Sequence, residues 1–206
     1  MESVFRNRLA LPGLAIAALA LPFGAVQSAN AAQTGTTGTV AQTGPNCTER
    51  VETGAVTCYA TFREAIRHAT GGAVTDAPLD ARTAMADPTF AKRLNAQVNA
   101  DGTPAPGITT VPIAVYYDRE DHKSPPALIH YASRGCDNDN GVEHAIRDLG
   151  VTFRSWNDRI SSFRGFSKCQ INLYEHRNFK GKQTGYRDSM KRLGNMNNKA
   201  SSMRLR

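Results

Sequence analysis

Asn157-Asp158-Arg159-Ile160-Ser161-Ser162 is followed forty residues later by a similar segment, Asn197-Asn198-Lys199-Ala200-Ser201-Ser202. The apolar residues around the two hexapeptides also match, in four pairs: Phe153 with Leu193, Trp156 with Met196, Ile160 with Ala200, and Phe163 with Met203. A polar hexapeptide that recurs once in the same apolar setting indicates a duplicated supersecondary unit. The repeat therefore predicts two similar halves in the C-terminal part of the chain.

Short β-strands are predicted on both sides of the repeat. The segments 113–117 and 127–131 are rich in β-branched and aromatic residues, and 171–174 alternates apolar and polar residues. An aromatic–acidic pair, Tyr117-Asp118 or Tyr174-Glu175, precedes each hexapeptide. Between the strands, residues 143–149 predict two helical turns.

The repeat resembles the βγ-crystallin family, in which each Greek key carries an (Asn/Asp)-(Asn/Asp)-x-x-(Ser/Thr)-Ser loop and two keys pair into one domain. The segment from Tyr174 to Gly181 is similar to the family's aromatic-rich hairpin, with Gly181 at a backbone position that suits glycine. The first key departs from the pattern, because no Phe-x-Gly follows Tyr117. Tyr117 also lies forty residues before its hexapeptide where Tyr174 lies twenty-three before the second, so we expect an insertion of about seventeen residues.

The resemblance implies two calcium sites at the hexapeptides, since calcium takes six to eight oxygen ligands from side chains, carbonyls and water. Asp158 and Asn198 are expected near the ions, with Ser161 and Ser201 as hydroxyl ligands. The backbone carbonyls of Arg159 and Lys199 are expected to contribute, and Asn157 and Asn197 to brace the loops. The competing interpretation is that Asn, Asp and Ser are there only as turn residues. Because Asn198 is not a carboxylate, we expect dissociation constants on the order of 10⁻⁴ M.

Residues 46–99 predict a small α+β region ahead of the Greek keys. A hairpin is expected over 47–59, and Thr61 with Glu64 forms a capping box that begins a helix ending at Gly71-Gly72. Asp87-Pro88 predicts a second helix start. A linker is expected over 100–110, so that the predicted fold class is α+β, with a Greek-key β-sandwich over 111–206.

The N-terminus predicts export. Arg6 and Arg8 precede an apolar run over 9–26, and Ala29-Asn30-Ala31 fits a signal-peptidase site, which gives a signal peptide over 1–31 and a flexible lead-in over 32–45. No other stretch is long and apolar enough to span a membrane. We therefore expect a secreted protein.

Four cysteines in an oxidising compartment predict disulfides. Three pairings are possible, and the sequence alone does not choose among them. We favour Cys47–Cys58 and Cys136–Cys169, because each pair then lies within one predicted region. A zinc site is disfavoured, since the chain has no Cys-x-x-Cys pair.

Positive charge is concentrated at the C-terminal end. The net charge is +7, and residues 151–206 alone carry thirteen basic and three acidic side chains, a net of +10. We consider a patch for an anionic surface polymer, formed by seven side chains: Lys180, Lys182, Arg187, Lys191, Arg192, Arg204 and Arg206. A solvated basic face without a partner is the other interpretation.

The sequence does not predict an enzyme, since it offers neither a nucleophile with its base nor a catalytic metal motif. The segment 136–141 resembles the start of an EF-hand, but Arg147 stands where the bidentate glutamate is required. The stretch 169–206 is also similar to small secreted bacterial metalloproteinase inhibitors. The main prediction is a secreted calcium-binding module, and a secreted peptidase inhibitor is the alternative.

Overall fold

The computed structural model describes residues 44–137 and 139–206. The predicted signal peptide 1–31 lies outside the described residues, as does the lead-in up to residue 43. The described part contains ten strands: β1 Asn46–Arg50, β2 Ala55–Tyr59, β3 Val111–Tyr117, β4 Ala127–Ala132, β5 His144–Ile146, β6 Ser162–Gly165, β7 Ile171–His176, β8 Lys180–Gln183, β9 Ser189–Met190 and β10 Ser202–Leu205. It also contains four α-helices: α1 Phe62–Ala69, α2 Ala81–Ala86, α3 Pro88–Asn95 and α4 Leu149–Thr152.

The strands form two sheets, and the order of the strands in each sheet reflects the duplication seen in the sequence. Sheet 1 has the order β2-β1-β4-β3-β6-β9, and sheet 2 has the order β5-β10-β7-β8. The order β4-β3-β6-β9 in sheet 1 corresponds to β8-β7-β10-β5 in sheet 2, strand for strand. Each sheet takes one edge strand from the other half of the repeat, since β9 joins sheet 1 and β5 joins sheet 2. The predicted fold class, α+β with a Greek-key β-sandwich, is confirmed.

One apolar core fills the space between the two sheets. Alternate residues of the central strands face it, as the period of two in a β-strand requires, with a shift in β3 at the bulge near Pro112–Ala114. Its members include Ile113 and Tyr116 of β3, Leu173 of β7, and Met203 and Leu205 of β10. The Trp156 side chain, next to the first hexapeptide, is 2% exposed and also packs in this core.

Helices α1 to α3 cover the opposite face of sheet 1. Phe62, Phe90 and Leu94 pack there against the outward side chains of β3 and β4, such as Val115 and Ile129. The predicted helix starts are confirmed: Thr61 and Glu64 form the capping box of α1, and the Asp87 side chain caps α3. These helices add a third layer to the sandwich.

The hairpin β1–β2 extends sheet 1, because β1 pairs in parallel with β4, with Glu49 opposite His130. Residues 46–99 therefore share a sheet with 111–206, and their helices share a core with it. The proposed division at 100–110 remains a prediction about how independently the two parts fold.

Both favoured disulfides are present, Cys47–Cys58 across the β1–β2 hairpin and Cys136–Cys169 between the two halves of the repeat. The helix predicted over 143–149 is wrong. His144–Ile146 is strand β5, which pairs with β10, and only the short helix α4 follows it. Among the described residues, no helix has the length and apolar character needed to cross a bilayer.

Candidate metal centre

The first hairpin of each key has the same backbone geometry despite the different sequences. In the second key Asn178 and Phe179 have φ values of 57° and 63°. In the first key Asp121 and His122 have φ values of 60° and 55°. The backbone N–H of Phe179 donates at 3.0 Å, and that of His122 at 3.2 Å, to the hydroxyl of the last serine in its hexapeptide. The first hairpin therefore has the same geometry as the second, with His122 at the position of Phe179.

Backbone hydrogen bonds fix the two hexapeptides, named loop 1 (157–162) and loop 2 (197–202). The N–H groups of Ser161 and Ser201 donate to the tyrosine carbonyl that precedes each hairpin turn, at 2.8 and 2.9 Å. The N–H groups of Asp158 and Asn198 donate to the carbonyl of the fourth residue in the opposite loop, at 3.1 and 3.0 Å. Each loop is thus held by its own key and by the other loop.

The second residue of each loop has a left-handed backbone. Asp158 has a φ of 55° and Asn198 a φ of 54°. Asn and Asp tolerate this region better than other residues with a Cβ atom. Turn geometry alone therefore accounts for the residue type at these positions, but not for the direction in which the side chains point.

The side chains of Asp158 and Asn198 each reach the first serine of the opposite loop and so form two oxygen clusters. In the first cluster, Ser161 Oγ lies 2.9 Å from Asn198 Oδ1 and 3.0 Å from the carbonyl oxygen of Asp118. In the second cluster, Ser201 Oγ lies 3.2 Å from Asp158 Oδ1. Two oxygens bound to one calcium ion, each at about 2.4 Å, are at most about 4.8 Å apart. The spacing in both clusters is therefore compatible with a shared ion.

The first cluster contains too few hydrogen atoms for each of its close oxygen–oxygen contacts to be a hydrogen bond. Ser161 has one hydroxyl hydrogen but two acceptors within 3.0 Å, so one of its oxygen–oxygen contacts has no hydrogen between the atoms. Two further oxygens near the loops, Asp118 Oδ1 and Asn197 Oδ1, are buried and have no hydrogen-bond partner among the described residues. A hard cation would compensate such oxygens, so the residues present fit calcium.

A basic side chain from each loop approaches the acidic residue of its own hairpin. Arg159 lies 3.1 Å from the Asp118 carboxylate, and Lys199 lies 4.0 Å from that of Glu175. The Asn157 side chain donates to Asp158 Oδ2 at 2.7 Å. Asn197, the corresponding residue of loop 2, has a buried Oδ1 without a hydrogen-bond partner among the described residues. These ion pairs place positive charge beside both clusters, which opposes a divalent cation at short range.

Two other groups of potential ligands lie around the start of β5. Cys136, His144 and Cys169 are close together, but the disulfide removes both thiolates as ligands. Asp137, Asp139 and Glu143 place carboxylate oxygens within 4.8 Å of one another. Burial and the Asp137 carboxyl raise the pKa of Glu143, whereas hydrogen bonds lower that of Asp137. This acidic group is the main competitor for a cation in the described part of the chain.

Comparison with known proteins gives structural likeness only. No protein-family model matches the sequence, and no curated protein sequence matches it. Solved structures do: the N-terminal domain of Protein S is 21% identical with a TM-score of 0.34, and a βγ-crystallin domain from Flavobacterium johnsoniae is 23% identical with a TM-score of 0.34. A βγ-crystallin domain from Clostridium beijerinckii is 18% identical with a TM-score of 0.33. The matches cover 45–46% of this chain and 93–95% of those chains.

Proposed function

We propose that the chain is a calcium-binding Greek-key module that holds one ion at each oxygen cluster. The observation that carries the proposal is the crossing of Asp158 and Asn198 to the serine of the opposite loop. Turn residues need only local hydrogen bonds, whereas these side chains supply oxygens to a point shared by both loops. The carbonyls of Arg159 and Lys199 are proposed as further ligands.

Calcium bound in this way would stabilise the paired halves. Each ion would take ligands from both loops, so unfolding either half would release it. A ligand that binds only the folded state, at ten times its dissociation constant, adds about 1.4 kcal/mol per site. With dissociation constants on the order of 10⁻⁴ M, such gains require millimolar calcium, as is found outside cells. We propose secretion on the same grounds, with support from the predicted signal peptide and two disulfides.

Titration calorimetry of calcium into chelator-treated protein tests this proposal. Trp156, the sole tryptophan, lies next to loop 1, so its fluorescence reports independently on that loop. Asp158→Asn keeps a residue suited to positive φ and removes one charge. We expect it to weaken one of the two sites about tenfold. Asp139→Asn, with the same charge change in the competing acidic group, is expected to leave both sites unchanged.

Two results would contradict the proposal. Absence of calcium heat together with an unchanged melting temperature would show that the loops serve only as turns. Loss of calcium binding in Asp139→Asn but not in Asp158→Asn would show that the ion binds at the acidic group of Asp137, Asp139 and Glu143. Peptidase inhibition remains the alternative prediction, and an assay with secreted metalloproteinases tests it.

A further inference from the structure

The outer faces of the two sheets differ in what covers them. Helices α1 to α3 pack on the outer face of sheet 1. Among the residues that the structure describes, no helix packs in the same way on the outer face of sheet 2. The duplicated fold therefore leaves one of two related surfaces exposed, and the side chains on that surface are basic and aromatic.

Strand alternation decides which side chains point outward from sheet 2. Met203 and Leu205 of β10 are buried in the core, so Arg204 and Arg206 point the other way. Arg204 lies between Ala145 of β5 and Asn172 of β7 in the strand register. The small Ala145 leaves the Arg204 side chain room on the surface. We call this surface the basic face, and its members are Arg147, Tyr174, Phe179, Tyr186, Arg204 and Arg206.

Aromatic rings hold the guanidinium groups of the basic face in place. The Arg204 guanidinium carbon lies 4.1 Å from the centre of the Phe179 ring, and that of Arg147 lies 5.4 Å from the same ring. Arg206 lies 4.2 Å from the centre of the Tyr186 ring. Such cation–π contacts restrict the side chains without neutralising them. Binding an anion there costs less arginine side-chain entropy than it would if the arginines were mobile.

The charges of the basic face are not neutralised within the described chain. None of its three arginines lies within 4.0 Å of a carboxylate there, whereas Arg177 is paired with Asp148, and Arg192 with Glu120 and Asp121. Of the seven basic side chains considered in the sequence, only Arg204 and Arg206 are members of the basic face, and the structure adds Arg147. Asp139 and Asp188 line a cleft beside Arg206 and reduce the positive charge there. The centre of the basic face is therefore formed by Arg147 and Arg204, whose guanidinium groups both lie against the Phe179 ring.

We propose that the basic face binds an acidic polysaccharide. Guanidinium groups in fixed orientation bind carboxylate or sulfate groups in pairs of hydrogen bonds. Single-stranded nucleic acid requires free aromatic rings for base stacking, and two guanidinium groups already lie against Phe179. Insertion into a lipid surface requires exposed apolar side chains, and the exposed large apolar residues, Val56, Leu79, Val142 and Val151, are not members of the face. The predicted export also favours a polymer outside the cell.

Binding to immobilised heparin and to polygalacturonate tests the proposal on the full chain after signal removal. The double variant Arg147→Gln/Arg204→Gln is compared with Arg82→Gln/Lys92→Gln, which loses the same charge from exposed positions in the helical layer. We expect the face variant to bind at least tenfold more weakly and the control to change less than twofold. Chelator is present throughout, so calcium does not contribute and the result is independent of the proposed metal sites.

Arg204→Lys keeps the charge but loses the planar donor group, and we expect it to bind with intermediate affinity. It serves as the test if the double variant has a changed melting temperature. Equal losses in the two double variants would overturn the proposal in favour of diffuse attraction to net charge. Tighter binding of a single-stranded oligonucleotide or of phosphatidylglycerol vesicles, lost in the face variant, would overturn the choice of partner.

Discussion

Asn198 is the residue at which the two proposed calcium sites differ most. It offers an amide oxygen to Ser161, where Asp158 offers a carboxylate oxygen to Ser201 in the other cluster. A carboxylate attracts a divalent cation more strongly than a neutral oxygen does, so the two clusters are expected to bind calcium with different affinity.

Asn198→Asp is therefore expected to increase calcium affinity at the cluster with Ser161. A tenfold gain corresponds to about 1.4 kcal/mol of binding free energy. Asn195→Asp makes the same charge change at an exposed position outside loop 2 and is the matched control. Titration calorimetry of the two variants measures the difference. Equal gains would show that net charge, rather than ligand chemistry, sets the affinity.

A buried ionisable pair links the N-terminal hairpin to the Greek keys. His130 Nε2 lies 3.2 Å from Glu49 Oε2, and the two side chains are 0% and 1% exposed. Burial by itself would raise the pKa of Glu49, but hydrogen bonding to His130 and its charge outweigh this effect and lower the pKa below its ordinary value. Glu49 Oε1, His130 Nδ1 and Tyr116 Oη have no hydrogen-bond partner among the described residues.

The lowered pKa of Glu49 predicts acid sensitivity. Because the unfolded chain binds this proton more readily, the contribution of Glu49 to stability is present above its unfolded pKa, about 4.5, and is lost as the pH falls through the lower folded pKa. Glu49→Gln is expected to lower the free energy of unfolding at pH 7 by about 3 kcal/mol and to flatten its dependence on pH below about 4.5. Urea unfolding across pH measures both effects. Glu120→Gln, at an exposed position, is the control. If the free energy of unfolding of Glu49→Gln depends on pH as steeply as that of the wild type, other carboxyl groups cause the acid sensitivity.

At the level of elements, the second key could be predicted from sequence more completely than the first. Residues 174–181 keep the aromatic and glycine pattern, and the repeated hexapeptides located both loops. The first hairpin could not be found in this way, because His122 occupies the aromatic position and its ring is held by the Phe163 carbonyl at 3.0 Å instead. Burial lowers the pKa of His122, which favours the neutral ring at this position.

The prediction of a helix over 143–149 failed because local propensity was outweighed by pairing with a distant strand. His144–Ile146 gains ladder hydrogen bonds from β10, about sixty residues further along the chain. No local pattern could reveal that partner. The crossing of Asp158 and Asn198 to the opposite loops could not be found from a local pattern either, since it depends on how the two halves pack.

The capping box of α1 makes an element-level prediction. Thr61 accepts from the N–H of Glu64 at 3.2 Å, and the Glu64 side chain accepts from the N–H of Thr61 at 3.0 Å. Thr61→Ala is expected to lower the free energy of unfolding by about 1 kcal/mol. Thr75→Ala, an exposed threonine outside the helix, is the control. Equal denaturation midpoints for wild type and Thr61→Ala would show that packing against sheet 1 alone holds this helix.

At the scale of the whole molecule, the N-terminal region and the Greek keys are expected to depend on each other. A fragment of residues 111–206 would expose the apolar outer face of sheet 1, including Val115, Tyr117 and Ile129, and the edge of β4. We predict that this fragment binds a hydrophobic dye such as ANS and melts well below the full chain. A sharp melting transition at the temperature of the full chain, without dye binding, would instead support two independent domains with a linker over 100–110.

The exchange of β5 and β9 between the halves also constrains the order of folding. Sheet 2 has β10 between β5 and β7, so the strand at Ser202–Leu205 is needed before β5 can be incorporated. Contacts between segments so far apart in sequence slow folding, because the chain loses loop entropy before it gains packing energy. A ribosome-bound or partly translocated chain that lacks these residues cannot complete either half. We therefore expect both halves to fold only after Ser202–Leu205 has been synthesised, which is compatible with the predicted export.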